Sequence, residues 1–188
     1  VNVASTLPAS FKGKIVRTGL EVEIRLAAFI GPTSRDLRFW SAISFGSGDW
    51  RTPTENRGPA PELVVGDQIQ ISPSLAILVN NVDHQSSRLL RIEFQSSQLH
   101  KDLFTHGRPI QYSYLEEELA LWDQQTIFSG PPISVEPASA SFPLSWSMLL
   151  KLKQIGVTIG SISHSAGISS TGSPDLDSRL PLADPKRP

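Results

Sequence analysis

Cysteine is absent from the 188 residues, which excludes a disulfide framework, a zinc–thiolate site and a cysteine nucleophile. Long apolar runs are absent too. The longest aliphatic stretch, residues 75–79, is far too short to cross a bilayer. The opening residues carry no basic stretch followed by a hydrophobic one, so no signal peptide is read there. Excess charge is also missing: 17 Lys plus Arg against 18 Asp plus Glu leave −1, which excludes a pervasive basic surface. Two local basic clusters remain, Lys12, Lys14 and Arg17 in one place and Lys151 and Lys153 in another. Short clusters of this kind read as solvated edges of a strand and a helix.

What is present is an ordinary globular composition. Apolar residues make up 39%, and the 13 glycines lift that to about 46%. The first half reads as β. Residues 20–26 alternate apolar and charged, which lays Leu20, Val22, Ile24 and Leu26 on one face of a strand. Residues 37–45 form a second strand with Phe39 and Ile43 inward, and 67–71, 75–79 and 88–94 continue the set. With residues 7–16 they make about six short strands separated by turns, the spacing of a small antiparallel barrel or sandwich.

The texture then changes. Ser96 or Ser97 is placed to cap a helix over 98–105, with Leu99 and Leu103 on one face and Gly107 as its stop. Ser145 caps an amphipathic helix whose Trp146, Leu149, Leu150 and Leu152 cover one face, and Gly156 ends it. A strand over 157–162 follows at once, a helix-then-strand step that signals α/β structure. Residues 169–188, rich in Ser, Pro and Asp, read as a tail on which Asp175 and Asp177 are solvated.

No Gly-x-Gly-x-x-Gly, Walker or Gly-x-Ser-x-Gly motif is present, and the four histidines are too scattered to suggest a metal cluster. Two segments stand out. His164-Ser165-Ala166-Gly167 follows the expected strand, where small residues admit a ligand to the backbone and a His transfers protons near neutral pH; a satisfied structural His is the plainer alternative. Residues 123–129 gather amides and hydroxyls beside Trp122 and Phe128, suited to bonding and stacking a heterocycle, or equally to a buried polar turn.

Several blocks, in order, resemble the S-adenosylmethionine:tRNA ribosyltransferase-isomerases of queuosine biosynthesis. Residues 2–10 resemble the family's Asn-Asn-Thr-Arg-Val-Ile-Pro-Ala-Arg, with Asn2, Pro8 and Ala9 identical. Gly107-Arg108-Pro109-Ile110 resembles the block after the family's barrel, and residues 125–129 resemble Tyr-Gln-Thr-Val-Tyr-Ser through Gln125 and Thr126. Residues 153–157 match a Leu-x-x-x-Gly-Val step, and residues 164–167 resemble Leu-His-Val-Gly-Ala-Gly. There are departures: Ser5 and Ser10 stand where the family has Arg, and Pro143 and Leu144 near the His and Phe of its Pro-Thr-Ala-Gly-Leu-His-Phe motif.

The resemblance implies an α/β plus β fold, a small antiparallel β-barrel inserted in an incomplete α/β domain. The barrel with its closing helix would span 7–105, and 1–6 with 106–188 would form the partial α/β domain. It implies a cytoplasmic, monomeric enzyme that moves the ribosyl part of S-adenosylmethionine onto the 7-aminomethyl-7-deazaguanine base of tRNA, giving epoxyqueuosine. S-adenosylmethionine is then a consumed substrate, tRNA the partner, and no cofactor, metal or membrane is implied. His164 falls at the acid/base position, and Asn2, Gln125, Thr126, Ser139, Ala140 and Gly167 at substrate-binding positions. The family has further strands before this chain's start and an α/β half beyond its end, so the isolated chain is expected to be a partial or divergent member without turnover. The alternatives are a non-catalytic barrel that binds RNA or protein, or an inactive fragment.

Overall fold

The computed structural model describes residues 1–33, 36–180 and 182. In chain order the elements are β1 (Ser5–Thr6), β2 (Ser10–Ile15), β3 (Glu21–Phe29), β4 (Phe39–Phe45), β5 (Gln68–Ser72), β6 (Leu75–Val82), β7 (Leu89–Gln95), α1 (Leu99–His106), β8 (Pro132–Ser134), α2 (Trp146–Gln154) and α3 (Pro174–Asp177).

β2 to β7 close a six-stranded antiparallel barrel in the order β2-β3-β4-β7-β6-β5. Closure is made by Lys14 opposite Gln70 and Ile15 opposite Ile69. Closing the sheet removes its edges, so every strand pairs on both sides. Bulges at Leu26/Ala28, Gln70/Ser72 and Val79/Asn81 supply the bends that closure needs. Ile24, Ile43, Ile69, Ile77, Val79 and Ile92 are fully buried. Phe11 meets Phe94 edge to face at 4.9 Å. Gly107 lies against this pair because a Cβ there would come within 2.7 Å of both the Phe11 ring and the Leu103 carbonyl. Its φ of −80° shows that room rather than a special backbone angle selects glycine here.

Two details of the strands differ from expectation. Leu20 is 54% exposed, because the tight turn through Gly19 (φ +72°) holds it outside β3. In β4, Trp40 rather than Phe39 is fully buried; its indole N–H donates to the Leu37 carbonyl at 2.8 Å and its ring meets Phe29 edge to face.

One end of the barrel holds a buried ion network. Glu23 Oε1 accepts from Arg25 Nε at 2.7 Å and from Ser10 Oγ at 2.9 Å, and its Oε2 accepts from Arg57 Nη2 at 2.8 Å. Burial raises the pKa of the Glu23 carboxyl, but the two guanidiniums outweigh it and hold the group below the usual carboxylate range. Arg25, Arg57 and Arg88 stand 4.6, 5.3 and 5.4 Å from the ring centre of Phe45. Burial, with the charge of Arg57 second, lowers the pKa of Arg88.

Outside the barrel lies a parallel layer. β1 pairs with β8, and Asn2 forms a parallel bridge to Ile162. The strand expected over 157–162 is therefore reduced to that bridge, joined by Val1 N to the Gly160 carbonyl, Ile162 N to the Val1 carbonyl and Val3 N to the Ile162 carbonyl. Parallel strands need neighbours and covered faces to extend, and this segment pairs over only one residue. α2 starts at Ser145, whose Oγ accepts from Met148 N, and ends before Gly156 (φ +87°). Leu149 is its one buried residue; Trp146 and Leu150 are 63% and 59% exposed, so the expected apolar face does not pack inward. Ser96 does not cap α1 as expected. Its hydroxyl bonds Asp102 instead, at 2.5 Å.

The stretch read as a tail is folded as far as residue 180. Thr171 and Leu176 are buried, and Arg88 Nη1 donates to the carbonyls of Thr171 and Gly172 at 3.3 and 2.9 Å. Asp177 is not simply solvated: its Oδ1 accepts from the Thr171 backbone N–H and hydroxyl, both at 2.7 Å. The Pro-rich end, 183–188, lies outside the described residues.

Candidate functional site

Three segments that are distant in sequence line a cleft of about 490 Å³ beside the barrel: 110–124, 136–142 and 169–170. A short 3₁₀ turn, Leu121–Gln124, brings Gln124 to it, with Asp123 Oδ2 accepting from Ala120 N at 2.9 Å to start the turn. Gln124 Nε2 donates to the Ile110 carbonyl at 3.3 Å. Its Oε1, and the Nε2 of neighbouring Gln111, are buried without a hydrogen-bond partner among the described residues. One is an acceptor and the other a donor. A buried polar atom left unpaired costs about 1–3 kcal/mol, so this pair is complementary to a polar group that completes it. Tyr112 and Tyr114 stack at 6.0 Å on the same wall and offer flat apolar surface.

Glu136 stands at the lip of this cleft and of a neighbouring one of about 740 Å³; Ser169 belongs to both. Glu136 Oε1 accepts from Ser169 N at 2.8 Å, from Ser169 Oγ at 2.9 Å and from the Tyr112 hydroxyl. Among the described residues Oε2 has no hydrogen bond. Burial first, and the charge of Glu136 second, push the pKa of the Tyr112 phenol well above its ordinary value. It therefore stays protonated and remains a donor to the carboxylate. This arrangement fixes one carboxylate oxygen and leaves the other available to take a proton.

The residues singled out in the sequence fall in different places. Ser139 lines the first cleft, and Ala140 is exposed beside it on the same 3₁₀ turn, Ser139–Ser141. Gly167 lines the second cleft; a Cβ there would stand 2.7 Å from the Ala27 carbonyl, so its backbone packs directly on β3. Gln125 and Asn2 share one device. The Gln125 amide pairs with both the N–H and the carbonyl of Thr6 at 2.9 Å, and the Asn2 amide with the N–H and carbonyl of His164 at 3.0 and 2.9 Å. Both amides act in the manner of an added strand and are occupied by backbone. Thr126 Oγ1 accepts from Phe128 N within its turn. The His164 side chain is exposed and lines neither cleft.

Gln124 lies inside the amide-rich segment 123–129 and was legible there. Gln111, Tyr112 and Glu136 carry no local signal, since only the convergence of three segments groups them. Among the described residues no three His, Asp or Glu side chains are grouped to hold a metal ion.

A family model described as Queuosine biosynthesis protein matches residues 1–178. No curated protein and no solved structure matches the chain.

Proposed function

From the premise that this chain belongs to the queuosine biosynthesis protein family and has a role in queuosine synthesis, we propose that its reaction is ribosyl transfer from S-adenosylmethionine. The acceptor is the aminomethyl group of a 7-deazaguanine base in tRNA, and the product is epoxyqueuosine, with adenine and methionine leaving. S-adenosylmethionine is a consumed substrate in this reading, and the enzyme works in the cytoplasm as a monomer without a metal or cofactor. Among the described residues no helix is long and apolar enough to cross a membrane.

The observation that carries the reading is the cleft with one unpartnered acceptor, one unpartnered donor and a held carboxylate. A nitrogen heterocycle presents donor and acceptor groups on one edge, which suits Gln124 Oε1 and Gln111 Nε2, and its face suits the tyrosine pair. The chemistry needs a base to take the proton next to the sulfonium, and Glu136 Oε2 is assigned that task. Tyr112 and Ser169 are positioning residues, because they fix the other oxygen of the same carboxylate. His164, which the resemblance places at the acid/base position, is exposed outside both clefts and is assigned no step here; its backbone is held by Asn2. Ser139 and Gly167 contribute to the two cleft walls. Asn2, Gln125 and Thr126 support the site through the backbone they hold.

Titration calorimetry with S-adenosylmethionine tests the pocket, and adenine release in the presence of precursor-bearing tRNA tests the chemistry. Against the expectation of no turnover that the resemblance carries, this reading expects the parent chain to release adenine, and Glu136→Gln to bind S-adenosylmethionine as the parent does and to release adenine at least about 100-fold more slowly. Failure of the parent chain to bind S-adenosylmethionine would refute the reading. The second reading, a non-catalytic barrel that binds RNA, is favoured by the surplus of guanidinium groups around Phe45, and RNA binding without S-adenosylmethionine binding would select it.

A further inference from the structure

The barrel end that carries Glu23 opens into a third, strongly polar cleft of about 400 Å³ that the proposed chemistry does not use. Lys12, Arg25, Arg51 and Arg108 line it, with Trp50 between them. Of the basic cluster near the N-terminus, Arg17 is taken up by Asp67, which it grips through two nitrogens at 2.7 and 2.9 Å. Lys12 is in no salt bridge among the described residues, and it extends the cleft toward Lys14 along the barrel mouth.

The charge account in this wall does not balance. Glu23 is a single carboxylate serving both Arg25 and Arg57. Among the described residues Arg88, next to Arg57, bonds only backbone carbonyls. Arg51–Asp49 and Arg108–Glu118 are exposed pairs at 3.1 and 3.7 Å, which water and salt weaken and an incoming anion readily exchanges. Arg25 itself is 2% exposed, lines the cleft, and has an Nη1 with no hydrogen-bond partner among the described residues. A buried guanidinium nitrogen without an acceptor, backed by uncompensated positive charge, calls for an oxyanion.

We infer that this cleft is a phosphate-binding site for an RNA strand. Trp50 decides between RNA and a bare anion. It is half-buried among the cations with Arg51 packed 4.5 Å over its ring, and an aromatic platform beside cations stacks a base while they hold the backbone. Gln111 lines both this cleft and the one assigned to the heterocycle, so the two are contiguous at that residue. The inference rests on the reading that the substrate is RNA, but it needs no S-adenosylmethionine.

The test is fluorescence anisotropy of a labelled RNA hairpin, without S-adenosylmethionine, across about 50–200 mM salt. Lys12→Ala, Arg51→Ala and Arg108→Ala are each expected to weaken binding about five-fold at physiological salt and to lower the salt slope by about one. Trp50→Ala should weaken RNA but leave binding of inorganic phosphate, read by calorimetry, unchanged. The exposed pair Lys151 and Lys153 on α2, changed together to Ala, should leave affinity as it was. Arg25→Met would disturb the Glu23 network, so it is not needed. RNA affinity insensitive to the cleft variants overturns the inference, as does phosphate binding without RNA binding. Adenine release with cleft-insensitive RNA binding would defeat this inference alone; cleft-dependent RNA binding without S-adenosylmethionine binding would defeat the transferase reading alone.

Discussion

The barrel and the layer outside it satisfy their backbone by different means. In the barrel each strand bonds two others, and the pleated interior is filled by Ile, Val and Phe side chains at 0–1% exposure. In the outer layer regular pairing among the described residues is limited to β1 with β8 and single bridges, and side chains complete the rest. Gln125 serves Thr6, Asn2 serves His164, Ser134 Oγ accepts from Ala166 N at 2.9 Å, and Asp177 serves Thr171. A closed sheet spreads its stability over many equivalent bonds. A layer held by single side chains concentrates it in a few, and these bring together the segments that line the candidate site.

The largest effect should come from the barrel. Glu23→Ala leaves Arg25 and Arg57 buried without their carboxylate, and a loss of about 3–5 kcal/mol is expected in urea unfolding. The same group sets an acid limit. Its pKa is depressed in the folded state, so its contribution is fully present above the ordinary value of 4.5 and is lost as pH falls through the lower, folded value. A urea midpoint that stays level as pH is lowered through that window would contradict this.

Gln125→Ala should act on the layer alone. It strips partners from both the N–H and the carbonyl of Thr6, which is 2% exposed, at about 1–3 kcal/mol. Hydrogen exchange should quicken for residues 5–7 and β8 and stay unchanged in β2 to β7. Equal loss of protection in the barrel would mean that the two regions unfold as one, and the comparison would collapse. The smallest effect is expected at Arg38, whose two bonds to Asp36, both at 2.7 Å, sit on the exposed surface. Arg38→Ala should leave the urea midpoint where it was.

Much of the barrel was legible because alternation is a local signal. Residues 67–71 and 88–94 announced β5 and β7 to within a residue, and residues 20–26 announced β3 to within three. The α2 boundaries were equally plain, since Ser145 and Gly156 act on their own neighbours. Burial was harder to read. Trp146 and Leu150 make an apolar helix face by spacing alone, yet what covers a face depends on the rest of the fold. Residues 169–180 have no periodicity to read, and they dock through a guanidinium reaching their carbonyls from residue 88. Of the site, Gln124 lay within a suspicious polar segment, whereas Glu136 sits between prolines with nothing local to mark it.

By itself, then, the sequence determined the barrel strands and the two main helices, because each follows from residue type at short spacing, and it carried the family through the resemblance of several blocks in order. Its lack of cysteine and of long apolar runs limited the chemistry further. Tertiary structure alone decided that Lys14 meets Gln70 to close the barrel, that two arginines share Glu23, and that Tyr112 and Ser169 hold Glu136. Apart from Arg25 and Glu23, two residues apart on one strand, those pairings join residues 24 to 56 positions apart, and no local propensity reports on them. They exist because closing the barrel and laying the outer segments against it brings distant polar groups out of water together, where each must find a partner.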